Sequence, residues 1–307
     1  MALGESMAGD SIGLIFAGQG AQHPGMGMRL YGESADARRL YDDADRILGW
    51  PLSRLCFEGS IAELTACAHC QPAIYVTSLA AMAARFPDGL EGVPDAKITI
   101  CGGLSLGELA AFTAAGAMEF ADGLRAVAMR GKFMDDACRK HPGGMAAVIG
   151  APADVVAQIC GECGIDVANY NCEGQLIISG EKTGLEKAAA ALAAVAMKIV
   201  PLEVAGAYHS RLMREAAMRF REYLDSVPMR PPAIPVVHNV TGEIADGDVF
   251  GLRDRLGDQI HLPVRWESCA RTMIAHCNRM LELGPGHVLS GLMKRICRKF
   301  PVESSDL

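Results

Sequence analysis

An α/β protein is predicted, built on a parallel sheet and interrupted once by a smaller α+β unit. Three observations carry this. Short apolar runs alternate along the chain with helical patterns, the signature of βα units. Glycine-rich turns follow the first two strand-like runs directly. The middle of the chain reads as strand, helix, two strands, helix and strand, a ferredoxin-like order completed in about 65 residues.

In chain order, residues 11–17 (SIGLIFA) form a first buried strand running into the turn from Gly18 to Gly27. Helices are expected near 35–48 and 72–86, a strand at 96–101, a helix at 107–117, and another at 122–138 with Asp122 as its cap. The small unit follows: strand 145–149, helix 152–160 opened by proline, strands 167–171 and 175–179, helix 182–196 and strand 197–204. The chain then returns with a helix near 210–227, strand 234–239, a helix near 264–276, strand 279–283 and a basic final helix. This assigns 1–137 and 206–307 to the large subdomain and 138–205 to the inserted ferredoxin-like subdomain. The length of 307 residues fits two such units at roughly 150 residues each.

Composition narrows the function. The chain is 50% hydrophobic and 21% charged, an ordinary globular balance with enough core to need no staples. A net charge of −7 argues against reading nucleic-acid phosphates through the overall field. The longest apolar run, residues 188–197, is about half the ~20 residues of a membrane helix. No basic and apolar leader is visible at the start. A cytoplasmic, monomeric protein away from membranes is expected. Eleven scattered cysteines read as reduced, mostly buried thiols. The two CxxC pairs, Cys67/Cys70 and Cys160/Cys163, lie too far apart in sequence for a zinc ribbon, and neither has the strand-then-helix context of a redox motif. No metal site is expected.

The chemistry centres on Gly103-Leu104-Ser105-Leu106-Gly107, a G-x-S-x-G between a strand and a helix. That context is α/β-hydrolase-like: the tight turn exposes Ser105 and aims the following N–H and the helix N-terminus at a developing oxyanion. An ordinary capped strand–turn–helix is the bland alternative. A serine needs a base, and His209 is best placed, where a strand ends and a helix begins. His287, in a Gly-Pro-Gly-His turn, is the runner-up.

Seven ordered motifs then resemble those of the malonyl-CoA:acyl carrier protein transacylase family. They are Gly18-Gln19-Gly20-Ala21-Gln22 with Gly25-Met26-Gly27, the nucleophile motif ending in Glu108, Arg130-Gly131-Lys132-Phe133-Met134, Asn169 to Gln175, Tyr208-His209-Ser210, Gln259 to Trp266, and Glu282 to Gly286. They span residues 13–296, nearly the whole chain. The resemblance implies ping-pong transfer of malonyl from malonyl-CoA to the pantetheine thiol of acyl carrier protein, for fatty-acid synthesis. Ser105 is then the nucleophile and His209 the base. The carbonyl of Gln259 orients the histidine, so no carboxylate completes a triad. The N–H groups of Gln19 and Leu106 form the oxyanion hole, and Arg130 pairs with the malonyl carboxylate. No cofactor is implied.

Tyr208 is read either as a selectivity residue or as core. Arg211, Arg214, Lys294, Arg295, Arg298 and Lys299 are candidates for docking an acidic carrier. Leu104 stands where the family usually has histidine, and Ala17 where it often has proline. The rival readings are a trans-acting acyltransferase of a polyketide pathway, an acyl hydrolase, and a silent carrier-binding subunit.

Overall fold

The computed structural model describes residues 10–92 and 96–305. The elements in order are β1 (Asp10–Phe16), α1 (Met28–Glu33), α2 (Ala35–Leu48), α3 (Leu52–Glu58), α4 (Ile61–Thr65), α5 (Cys67–Arg85), β2 (Ala96–Gly103), α6 (Leu106–Ala114), α7 (Phe120–Lys140) and β3 (Gly144–Ile149). They continue with α8 (Ala153–Glu162), β4 (Asp166–Cys172), β5 (Gln175–Gly180), α9 (Lys182–Leu192), β6 (Lys198–Pro201), α10 (Arg214–Asp225), α11 (Val249–Asp258), α12 (Trp266–Ile274), β7 (Arg279–Leu283), α13 (Val288–Ile296) and β8 (Val302–Ser304).

The first sheet has the order β2-β1-β7-β8 and is parallel throughout. Its central strand explains its own sequence. Leu14, Ile15 and Phe16 are wholly buried, because helices cover both faces of a parallel sheet. From β1 the chain crosses to β2 on one side and later supplies β7 on the other. Connections therefore diverge at β1, and the crevice beyond the carboxyl ends of such strands is where α/β sheets hold their sites.

The second sheet has the order β4-β5-β3-β6 with antiparallel pairs, the ferredoxin-like arrangement, and α8 and α9 pack on one face. Alternation in β5 divides its work. Ile178 joins Val148, Val156 and Leu192 in the small core, while Ile177 packs with the large one. A parallel bridge between Asn169 and Val264 fastens this sheet to the large subdomain.

Several elements differ from the sequence expectation. The helix expected at 72–86 begins at Cys67 and carries Pro72 at its sixth position, where the ring leaves the Ala68 carbonyl without its usual i→i−4 donor. Glu119, not Asp122, precedes α7. The strand expected at 234–239 is reduced to bridges, with Cys101 N–H donating to Pro235 O and Val237 N–H to Cys101 O. The short helices α1, α3 and α4, along with α11 and β8, were not foreseen. No helix among the described residues is long and apolar enough to cross a membrane.

Candidate active site

β2 ends at Gly103 and α6 begins at Leu106, leaving only Leu104 and Ser105 to make the turn. The Ser105 backbone takes φ 54°, ψ −105°, a region side chains avoid. The motif's glycines are steric requirements. A Cβ on Gly103 would lie 2.1 Å from the carbonyl carbon of Gly107, and one on Gly107 would lie 2.1 Å from Phe16 O. Strand β1, the turn and α6 can approach this closely only without those side chains. Asn239 clamps the elbow from behind: its Oδ1 accepts from Ser105 N–H at 2.6 Å, and its Nδ2 donates to Gly103 O at 2.7 Å.

His209 arrives on the loop between β6 and α10, also with positive φ (54°). Its Nε2 lies 2.8 Å from Ser105 Oγ, and its Nδ1 lies 2.7 Å from the main-chain oxygen of Gln259. Gln259 is the C-cap of α11. Its carbonyl is therefore one of those the helix leaves unbonded, at the negative end of the helix dipole. A helix terminus thus does for the ring what a carboxylate does in a Ser-His-Asp triad: it accepts from Nδ1–H and leaves Nε2 to face the hydroxyl. Burial, and then the Arg130 guanidinium, hold the His209 pKa down to about 4, so the ring is a neutral base at ordinary pH.

Arg130 sits in mid-α7 and is 1% exposed. Nη1 donates to Gln71 Oε1 at 2.8 Å, and Nη2 donates to Gln259 Oε1 at 2.9 Å and to Ser105 Oγ at 3.1 Å. Its Nε is buried without a partner, and among the described residues no carboxylate forms an ion pair with it. Burial lowers its pKa to about 10, which leaves it charged.

Ser105, His209 and Gln19 line one cavity of about 350 Å³, together with Leu104, Tyr208, Leu292 and residues of the small sheet, Met145, Asn169, Asn171, Gln175 and Ile177. Arg130 and Gln259 lie behind this wall in contact with Ser105. Leu106 opens α6, so its N–H is among those left free by the helix's own bonds. Gln19 follows β1 at the same end of the sheet. Its Oε1 accepts from Cys67 Sγ (3.6 Å), which also donates to Tyr208 OH at 3.0 Å. Tyr208 is thus both packed and at the cavity wall.

All six expected site residues therefore converge. His287 lies at the N-cap of α13, while the base contact to Ser105 Oγ is made by His209. Among the described residues no group of His, Cys, Asp or Glu is placed to hold a metal ion. Sequence reasoning gave no role to Glu108, although it closes the nucleophile motif, nor to His238, Asn239 and Gln71. The available signal was Glu108 itself, a lone acid in an otherwise apolar helix.

A serine on a strand–turn–helix elbow, a neutral histidine against its hydroxyl and a free helix N-terminus form the arrangement used by acyl-transfer enzymes. Residues 14–275 match the acyl transferase domain family. The chain is 38% identical over 295 residues to the malonyl CoA-acyl carrier protein transacylase of Bacillus subtilis, covering 94% of this chain and 91% of that one. Its fold matches the acyl-carrier-protein S-malonyltransferase of Bartonella henselae with a TM-score of 0.91 at 32% identity, covering 97% and 96% of the two chains. It also matches a malonyl-transacylase solved in complex with a type II polyketide synthase acyl-carrier protein (TM-score 0.90, 31% identity, 96% and 95% covered). The chain belongs to the malonyl-CoA–acyl carrier protein transacylase family.

Proposed function

We propose that this protein moves the malonyl group from malonyl-CoA to the pantetheine thiol of acyl carrier protein, in service of fatty-acid synthesis. One observation carries the choice of acyl group: a fully buried guanidinium against the nucleophile, with Nε unbonded and no carboxylate paired to it. A buried cation of this kind calls for an anion, and a malonyl thioester brings one.

The Ser105–His209–Gln259 distances support the following steps. Ser105 Oγ attacks the thioester carbonyl while His209 Nε2, 2.8 Å away, takes its proton. The N–H groups of Leu106 and Gln19 receive the oxyanion. The carbon–sulfur bond breaks, the CoA sulfur leaves with the proton from His209, and malonyl-Ser105 remains. The carrier's thiol then gives its proton to His209 and attacks the ester, which returns the serine. Every proton and bond is accounted for by Ser105, His209 and the two thiols, so this chemistry needs no cofactor.

The carrier's entry side is supported by charge. Lys294, Arg295, Arg298 and Lys299 are exposed on and after α13, the helix whose Val288 and Leu292 line the cavity. Arg211 is less suited to docking, because Asp166 already holds it at 2.8 Å. We further read residues 1–137 and 206–307 as one subdomain and 138–205 as the other, as the two separate sheets support, and the protein as a cytoplasmic monomer. A polyketide role is the second reading, favoured by the likeness to the polyketide transacylase complex.

The test is intact mass after mixing with malonyl-CoA. A malonyl adduct that holo-carrier discharges, and that Ser105→Ala lacks, is the expected result. Discharge to water alone would make the protein a hydrolase, and an adduct surviving Ser105→Ala would remove Ser105 as nucleophile.

A further inference from the structure

Glu108 takes no part in the steps above, yet it is 1% exposed and both contacts of its Oε2 lead back to the site. Its Oε1 lies 2.8 Å from His238 Nδ1. Its Oε2 accepts from Asn239 N–H at 3.0 Å and from Gln259 Nε2 at 2.5 Å. Gln259 spends its other contacts on the reacting groups. Nε2 also donates to Ser105 O at 2.9 Å, Oε1 accepts from Arg130, and the main-chain oxygen accepts from His209.

The two ends of the Gln259 amide therefore face partners of opposite kinds. Flipped, its NH₂ would meet the guanidinium, donor against donor. Its oxygen would meet Glu108 and a carbonyl, acceptor against acceptor. As a carboxylate, Glu108 removes that alternative. Its second arm reaches the nucleophile through Asn239, whose Oδ1 holds Ser105 N–H.

We propose that Glu108 is a positioning residue of the acyl transfer: by fixing the Gln259 amide and Asn239, it keeps Ser105, His209 and Arg130 in mutual register. The acid that a Ser-His-Asp triad places on the histidine ring stands here one residue further back and acts on the residue whose carbonyl touches the ring. The effective atom is Oε2. The Oε1–His238 contact only satisfies the far oxygen, and His238 otherwise packs on Phe112 with ring centroids 5.4 Å apart.

The inference rests on the reading that Arg130 takes the malonyl carboxylate, and the test separates the two. Rates of self-acylation are measured with malonyl-CoA and acetyl-CoA on wild type, Glu108→Gln and His238→Phe. Glu108→Gln keeps the volume and folds by turning its NH₂ toward His238 Nδ1, which the other tautomer accepts. It should slow malonyl transfer by ~10–100-fold, the scale of a displaced reacting group, and acetyl transfer by less, so the malonyl-to-acetyl ratio falls. His238→Phe, which leaves Oε2 bonded, should slow both far less.

Wild-type malonyl rates in Glu108→Gln overturn the proposal, and so does equal slowing by His238→Phe. If Glu108→Gln does not fold, Glu108→Asp, charged but one methylene short of Gln259, is read by the same ratio. A wild type without malonyl preference would instead defeat the reading of Arg130.

Discussion

Two buried histidines, His209 and His238, are linked to Gln259, the first directly through its main-chain oxygen and the second only by way of Glu108, and their surroundings are nearly opposite. His238 has a carboxylate partner, Glu108, and no nucleophile, and its Nε2 is buried without a hydrogen bond. His209 has the nucleophile and only a helix-end carbonyl behind it. A buried carboxylate is therefore no guide to the base. What faces the second nitrogen decides the role, and at His209 burial and the Arg130 guanidinium keep the ring neutral and ready to take a proton. The acid is still present, set where it can organise the site without charging the imidazole.

The contrast breaks first at His209 itself. His209→Ala should slow self-acylation by ~10²–10⁴, the usual weight of a general base, measured by single-turnover mass spectrometry. Rescue of that loss by His238 would mean the two histidines are interchangeable, which their partners forbid.

Arg130→Ala comes next. Removing one member of a buried charge pair typically costs ~3–5 kcal/mol, or about 10²–10³ in kcat/KM for malonyl-CoA. Acetyl-CoA, which brings no carboxylate, should be accepted equally well or better. Malonyl preference surviving this change would move selectivity elsewhere. Arg125 is a poor substitute, since it is exposed and held by Asp122 at 3.2 Å.

The smallest effect sharpens the contrast through pH. With the His209 pKa near 4, the acid limb of self-acylation should fall well below the 6.5 of a free imidazole, and Arg130→Ala should move it upward. Stability follows the same sign. Between pH 6.5 and 4 the unfolded chain binds a proton at this histidine that the folded one refuses, so stability drops as pH falls through that window. By pH 5 the loss at this group is about 2 kcal/mol. Urea unfolding at pH 7 and pH 5 should show a larger drop in wild type than in His209→Gln.

Much of this was legible in the sequence because it is local. The elbow is five consecutive residues, and its pattern of a serine between two glycines is readable without the approach of β1 that Gly107 permits. Segment 279–283 and helix 35–48 were readable from short-range pattern alone. What stayed hidden is held together across the chain. Glu108 stands 130, 131 and 151 positions from His238, Asn239 and Gln259, and nothing in their neighbours marks them as its partners. The segment 234–239 misled for a related reason: it has a strand's composition, but only three of its residues lie along β2. The short helices α3 and α4 lack enough turns to show a period.

The positive φ at Ser105 and His209 has a consequence of a different kind. Among the described residues these are the only non-glycine positions with such a backbone, and each such conformation costs on the order of 1–3 kcal/mol. Glycine would adopt the Ser105 geometry freely. A strained position is thus also one that the proposed chemistry cannot give up, so thermal hardiness and catalysis pull in opposite directions there. A library screened for heat resistance alone would drift toward glycine at 105 and discard the enzyme while improving the protein.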